Sequence, residues 1–74
     1  MNAEELVNIM AKHDMTAVDL SKSIGVSRQA VNNWVLERRS IPELVARMLR
    51  MFDHDPKTMD TFKSFASAKP TGHL

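Results

Sequence analysis

Arg28, Gln29, Asn32 and Asn33 stand within the run S-R-Q-A-V-N-N-W-V-L, residues 27–36. Arg28 and Asn32 are four residues apart, as are Gln29 and Asn33. On a helix the four side chains therefore form two adjacent rows on one flank. Guanidinium and carboxamide groups each offer two hydrogen-bonding positions in one plane. That chemistry suits base edges in a DNA major groove: arginine pairs with O6 and N7 of guanine, amides with N6 and N7 of adenine. Gln29 and Asn33 are expected to read bases. Arg28 reads a guanine or holds a phosphate, and Asn32 completes the set. The plain alternative is a solvated flank of ordinary helix formers.

These side chains need a helix whose opposite flank is anchored. The residues before them, T-A-V-D-L-S-K-S-I-G-V-S from Thr16 to Ser27, supply the context. A helix over residues 17–24 has Leu20 and Ile24 apolar, with small Ser21 between them. Gly25 stands where the chain breaks, because glycine takes a left-handed conformation without steric cost. Val26 and the cap Ser27 follow, and a second helix starts at Arg28, burying Val31 and Trp34 or Val35. Ser27 and Thr16 are first of all helix caps. Each also stands at a helix N-terminus, which favours phosphate. Arg38 and Arg39 follow the second helix as candidate phosphate contacts, or else pair with Glu37 on the surface. Trp34, at helical spacing from Val31, is expected in the core rather than stacked on a base.

Three more helices are expected, and no strand. The first starts from the cap Asn2, with Glu5 reaching back and Met1 stapled on Leu6. Its apolar stripe is Leu6, Val7, Ile9 and Met10, and His13 and Asp14 end it. Thr16 repeats the device with Asp19, and Met15 packs on Leu20. Ser27 repeats it again, with Val26 against Val31. The fourth helix is expected from the cap Ser40, with Pro42 in its first turn and Glu43 three residues on. Its wide apolar face is Leu44, Val45, Met48, Leu49 and Phe52. Asp55 and Pro56 start a shorter fifth helix carrying Met59, Phe62 and Phe65 or Ala66 on one side. A single domain is thus expected over residues 1–66, with an unstructured tail over residues 67–74, which lack periodicity.

The chain has 74 residues and a formal net charge of +1. A domain of this size buries only roughly 60% of its unfolded surface, so its stability is marginal. Such domains often lean on metals, disulfides or partner subunits. There is no cysteine, which excludes disulfides and thiolate metal sites and fits a cytoplasmic setting. No apolar run is long enough to span a bilayer, and the start M-N-A-E-E-L is unlike a signal peptide. The charge is unevenly spread. Residues 1–20 hold Lys12 against Glu4, Glu5, Asp14 and Asp19. Residues 21–50 hold Lys22, Arg28, Arg38, Arg39, Arg47 and Arg50 against Glu37 and Glu43. The basic excess thus falls where phosphate contacts would be needed. His13, His54 and His73 are scattered, and Asp53-His54-Asp55 reads as a helix end rather than a metal site. No nucleophile–base set and no glycine-rich phosphate loop stands out, so neither an enzyme nor a cofactor is expected.

From Leu6 to Phe52 the chain resembles the Cro/phage-repressor (XRE-like) helix-turn-helix family. The residues that carry the resemblance are Leu20, Ser21, Ile24, Gly25, Val26, Ser27, Val31, Trp34 and Pro42, at gap-free spacing. Ser21 stands where the family prefers alanine, and its hydroxyl can bond back to the preceding turn. Val35 and Glu37 stand where many members have glutamate and a closing glycine. Helix three therefore runs further, or its exit loop differs. The resemblance implies an all-α, compact bundle of four to five short helices of the lambda-repressor-like type. It also implies a bacterial or phage transcription regulator that binds double-stranded DNA as a homodimer, at a palindromic operator, and often represses its own promoter. Met59, Phe62 and Phe65 are the expected dimer interface. An alternative is an antitoxin-like or accessory regulator whose C-terminal segment binds a partner protein. A non-specific nucleic-acid binder is a third reading. The amide content of helix three argues against it, since phosphate binders favour lysine and arginine.

Overall fold

Local signals in the chain set most of the element boundaries. In the computed structural model, which describes residues 1–67, Asn2 Oδ1 accepts from the Glu5 amide at 2.8 Å and starts α1, Ala3–Lys12. Thr16 starts α2, Ala17–Ile24, with a reciprocal capping box: its Oγ1 accepts from the Asp19 amide at 3.1 Å, and Asp19 Oδ2 accepts from the Thr16 amide at 3.0 Å. Ser27 Oγ accepts from the Ala30 amide at 3.1 Å and starts α3, Arg28–Val35. α4 covers Glu43–His54 and α5 covers Pro56–Ser67. Asp55 caps α5, accepting from the amides of Lys57 and Thr58 and from the Thr58 hydroxyl. These bonds hold its carboxyl below the usual carboxylate range, the Thr58 hydroxyl foremost. Among the described residues all regular structure is helical.

Two boundaries differ from expectation. Ser40 does not cap α4: Pro42 takes the cap position with extended backbone, no side chain bonds there, and the helix begins at Glu43. The physical reason is Pro42 itself, since a proline pushes the residue before it, Ile41, out of the helical region. α5 is as long as α4 rather than shorter, and it includes Ser67. The rest of the expected tail, residues 68–74, lies outside the described residues.

The core gathers one face from every helix: Leu6, Ile9 and Met10 of α1, Leu20 of α2 with Met15 before it, Val31 and Trp34 of α3, Val45 and Leu49 of α4, Met59 and Phe62 of α5. α2 lies at the centre, packed on both α3 and α5, while α1 leans on α3 and α4 on α5. Ser21 of α2 is buried, and its hydroxyl donates to the Val18 carbonyl at 2.7 Å, so the small polar side chain needs no outside partner. The Phe52 and Phe62 rings meet at 4.6 Å between centroids, tying α4 to α5. Val7 and Leu44, expected on apolar stripes, are instead exposed.

Two polar clasps join α1 to α4. Arg50 donates from Nε and Nη2 to the two carboxylate oxygens of Glu5, at 2.9 and 3.1 Å. The guanidinium holds the Glu5 carboxyl below its ordinary value. At the other end, Asp53 Oδ1 lies 2.7 Å from His13 Nε2 and 3.1 Å from Lys12 Nζ. The His13 bond first, and the Lys12 bond second, hold the Asp53 carboxyl below the usual range. Asp53 and His13 are thus spent as a strut between helices, as their expected place at helix ends allows. Among the described residues no group of acids and histidines could hold a metal ion. Also among them, no helix is long and apolar enough to cross a membrane.

Candidate nucleic-acid interface

α3 is positioned by its two ends and its buried flank. At its start, α2 stops at Gly25, which has φ +90°, and the amides of Gly25 and Val26 both donate to the Ser21 carbonyl. A Cβ at Gly25 would meet nothing within 4 Å, so the glycine is there for its backbone angle rather than for space. Three residues then separate α2 from α3, and Ser27 caps the second helix. At its far end, Leu36 is the cap residue and Glu37 turns left-handed at φ +59°. The Glu37 amide donates to the Trp34 carbonyl, and the Arg38 and Arg39 amides donate to the Asn33 carbonyl, at 3.2, 2.8 and 3.2 Å. This is a Schellman closure. Glutamate occupies the left-handed position that glycine usually fills. The exit loop is therefore closed at the same place, and helix three does not run on.

Val31 and Trp34 hold the inner flank of α3, at 0% and 6% exposure. Successive residues turn by about 100°, which places Gln29 opposite that buried flank. Arg28 and Gln29 are exposed, and Asn32 and Asn33 beside them are half-buried. Gln29 Nε2 lies 3.5 Å from Asn33 Oδ1, so the two amides expected to read bases lie side by side along the helix. The structure thus brings all four expected base-reading residues to one outward flank. Trp34, being buried, is not available to stack on a base.

The charge around this flank is arranged in a way the sequence alone does not reveal. α1, α2 and α4 each carry an acid in the first turn, whereas α3 carries none. Ser27 caps one of its N-terminal amides, but no carboxylate in its first turn offsets the positive end of its peptide dipoles, and Arg28 stands alongside. Among the described residues, Arg28, Arg38 and Arg39 take part in no ion pair, while Arg47 and Arg50 are each committed to a glutamate. Arg38, Arg39 and the cap Ser27 are exposed. The other cap, Thr16, is exposed too, but the Asp19 carboxylate closes its end of α2. Its hydrogen bonds to the Thr16 amide and hydroxyl hold that carboxyl below the usual range, keeping it charged. An anion is therefore better received at the start of α3 than at the start of α2.

The expected dimer interface fares differently. Met59 and Phe62 are 1% and 3% exposed within the single chain, where they pack into the core. They have no surface to offer a partner, because α5 is laid against α2 and needs them there. Phe65, at 55% exposure, is the one of the three that faces outward. The apolar surface that sequence reasoning missed lies on α4, where Leu44 and Met51 are exposed and Met48 is half-buried between them. The signal was present in the breadth of that helix's apolar face, which is wider than one core contact requires. Comparison of the chain with family models, with curated proteins and with solved structures finds no match.

Proposed function

We propose that this chain is a sequence-specific DNA-binding transcriptional regulator of the helix-turn-helix kind, with α3 as the helix that enters the major groove. It acts as a repressor when it occupies a promoter, and it binds as a homodimer at a two-fold operator in the bacterial or phage-infected cytoplasm. It is a binder and not an enzyme. The observation that carries this reading is the outward flank of α3. Three amides and a guanidinium stand there, next to a helix start with no acid in its first turn and beside arginines that form no ion pair among the described residues. A merely solvated flank has no need for that coincidence.

The division of labour follows from chemistry. Gln29 and Asn33 read base edges, Arg28 takes a guanine or a phosphate, and Asn32 stands at the edge of the contact. Ser27, Arg38 and Arg39 hold phosphates and fix the register of the helix, with Thr16 a weaker contributor. The test is a pair of variants measured on a selected site and on random duplex across a salt series. Gln29→Ala should cost about 1–3 kcal/mol on the selected site and relax base preference at one position. Arg39→Ala should weaken every duplex alike and flatten the salt dependence by about one ion. If Gln29→Ala binds the selected site as well as the parent chain does, α3 does not sit in the groove as assigned.

A further inference from the structure

Leu44, Met48 and Met51 recur at i, i+4 and i+7 along α4 and form one stripe over two turns. The core side of this helix is taken by Val45, Ala46 and Leu49. Leu44 is 78% exposed and Met51 58% exposed, so the outer half of the apolar face has no cover among the described residues. Isolated apolar side chains on a surface mean little, but a stripe in helical register marks a contact surface.

The rim of the stripe selects its occupant. Arg47 donates from Nε to Glu43 at 3.1 Å, and Arg50 is held by Glu5, so each cation already has an acid of its own chain beside it. An anionic partner, whether lipid, nucleic acid or acidic peptide, meets no unpartnered arginine on that rim among the described residues. A second copy brings the same apolar stripe with the same acids and bases in reverse order. When α4 is set antiparallel to its own copy about a two-fold axis, Leu44 of one chain faces Met51 of the other and Met48 lies near the axis. The same rotation brings Glu43 within about a turn of the second chain's Arg50 and His54, while Arg47 near the axis keeps its own Glu43.

We infer that the α4 stripe of Leu44, Met48 and Met51 is the surface through which two copies of this chain associate. The inference deepens the regulator reading and rests on it for one consistency. The chain measures 37 × 26 × 20 Å, so two copies abutting through one flank have centres about one molecular breadth apart. That range includes the ~34 Å between half-sites one helical turn apart on DNA. A single helix stripe is small for an interface, which makes the free dimer weak.

The test needs no DNA. Sedimentation equilibrium of the full chain from about 10 μM to about 1 mM spans weak association. The parent chain should shift from monomer to dimer over that range. Leu44→Glu should weaken association at least tenfold while its helical circular dichroism is unchanged, since the side chain it replaces is exposed. Phe65→Glu should associate as the parent does. Three outcomes overturn the inference: a parent chain that stays monomeric throughout, a dimer that survives Leu44→Glu, or a dimer abolished by Phe65→Glu instead. A monomer whose Leu44 and Met51 methyl resonances move when residues 68–74 are deleted also overturns it, by giving the stripe to the chain's own end. If Leu44→Glu dissolves the dimer yet no duplex is ever bound, the surface stands and the regulator reading falls.

Discussion

Glutamate at position 37 sits in backbone that costs it free energy. A left-handed conformation brings the Cβ of an L residue close to the following carbonyl, at about 1–2 kcal/mol. Glycine escapes that cost but loses about 0.5–1 kcal/mol more backbone entropy on folding. With φ at +59° and the Schellman bonds formed by backbone groups alone, Glu37→Gly should stabilise the chain by about 0.5–1 kcal/mol. In a domain of this size that is a rise of about 2–8 °C in melting temperature. Glu37→Ala is the essential comparison. It removes the same charge and the same exposed side chain but keeps the strain, so it should stay within about 0.5 kcal/mol of the parent. Gly25→Ala runs the experiment backwards at φ +90°, where an added Cβ meets nothing, and by the same balance should cost about 0.5–1 kcal/mol from the backbone alone. Thermal and urea unfolding by circular dichroism measure all three. A Glu37→Gly chain no more stable than Glu37→Ala would refute the argument, because the two differ only in the freedom of one backbone angle.

Three further outcomes follow from the packing and the clasps. Leu20→Ala, at a fully buried position in the central helix, should cost about 2–5 kcal/mol, enough to leave a marginal domain largely unfolded in a urea titration. Ser21→Ala should fall within about 1 kcal/mol of the parent, because the lost bond to the Val18 carbonyl is offset by alanine's better helix propensity. Asp53 contributes stability that is fully present above its unfolded pKa and is lost as pH falls through its lower folded value. The urea midpoint of the parent should therefore drop as pH falls below the ordinary aspartate range, and Asp53→Asn should make that drop shallower. An equally steep drop in the variant would remove Asp53 from the cause.

Helix starts were legible because their signals are local. Asn2, Thr16, Ser27 and Asp55 each satisfy amides two or three residues on, and nothing distant decides the matter. Ser40 misled because a nearer constraint, the proline two residues later, overrode it. The outward flank of α3 was legible because Val31 and Trp34 fix which side is inward. The apolar faces of α4 and α5 were harder, since each is broad enough to be half buried in either of two ways. Leu44 went outward and Ala46 inward; Met59 and Phe62 went inward and Phe65 outward. The packing of α5 on α2, and of α4 on α5, decides those choices. The clasps from Glu5 to Arg50 and from His13 to Asp53 span 45 and 40 residues, beyond the reach of any local pattern. The acid-free start of α3 is present in the sequence, but it gains meaning only once α1, α2 and α4 are seen to carry an acid in the first turn and α5 an aspartate at its cap.

Selection of duplexes from a random pool by the full chain, at a stated moderate salt concentration, bears most directly on the role of α3. The expected result is an enriched sequence with two-fold symmetry, its half-sites about one helical turn apart, that Gln29→Ala no longer prefers at one position of each half. A pool that emerges as random as it entered would contradict the assignment of α3 to the groove.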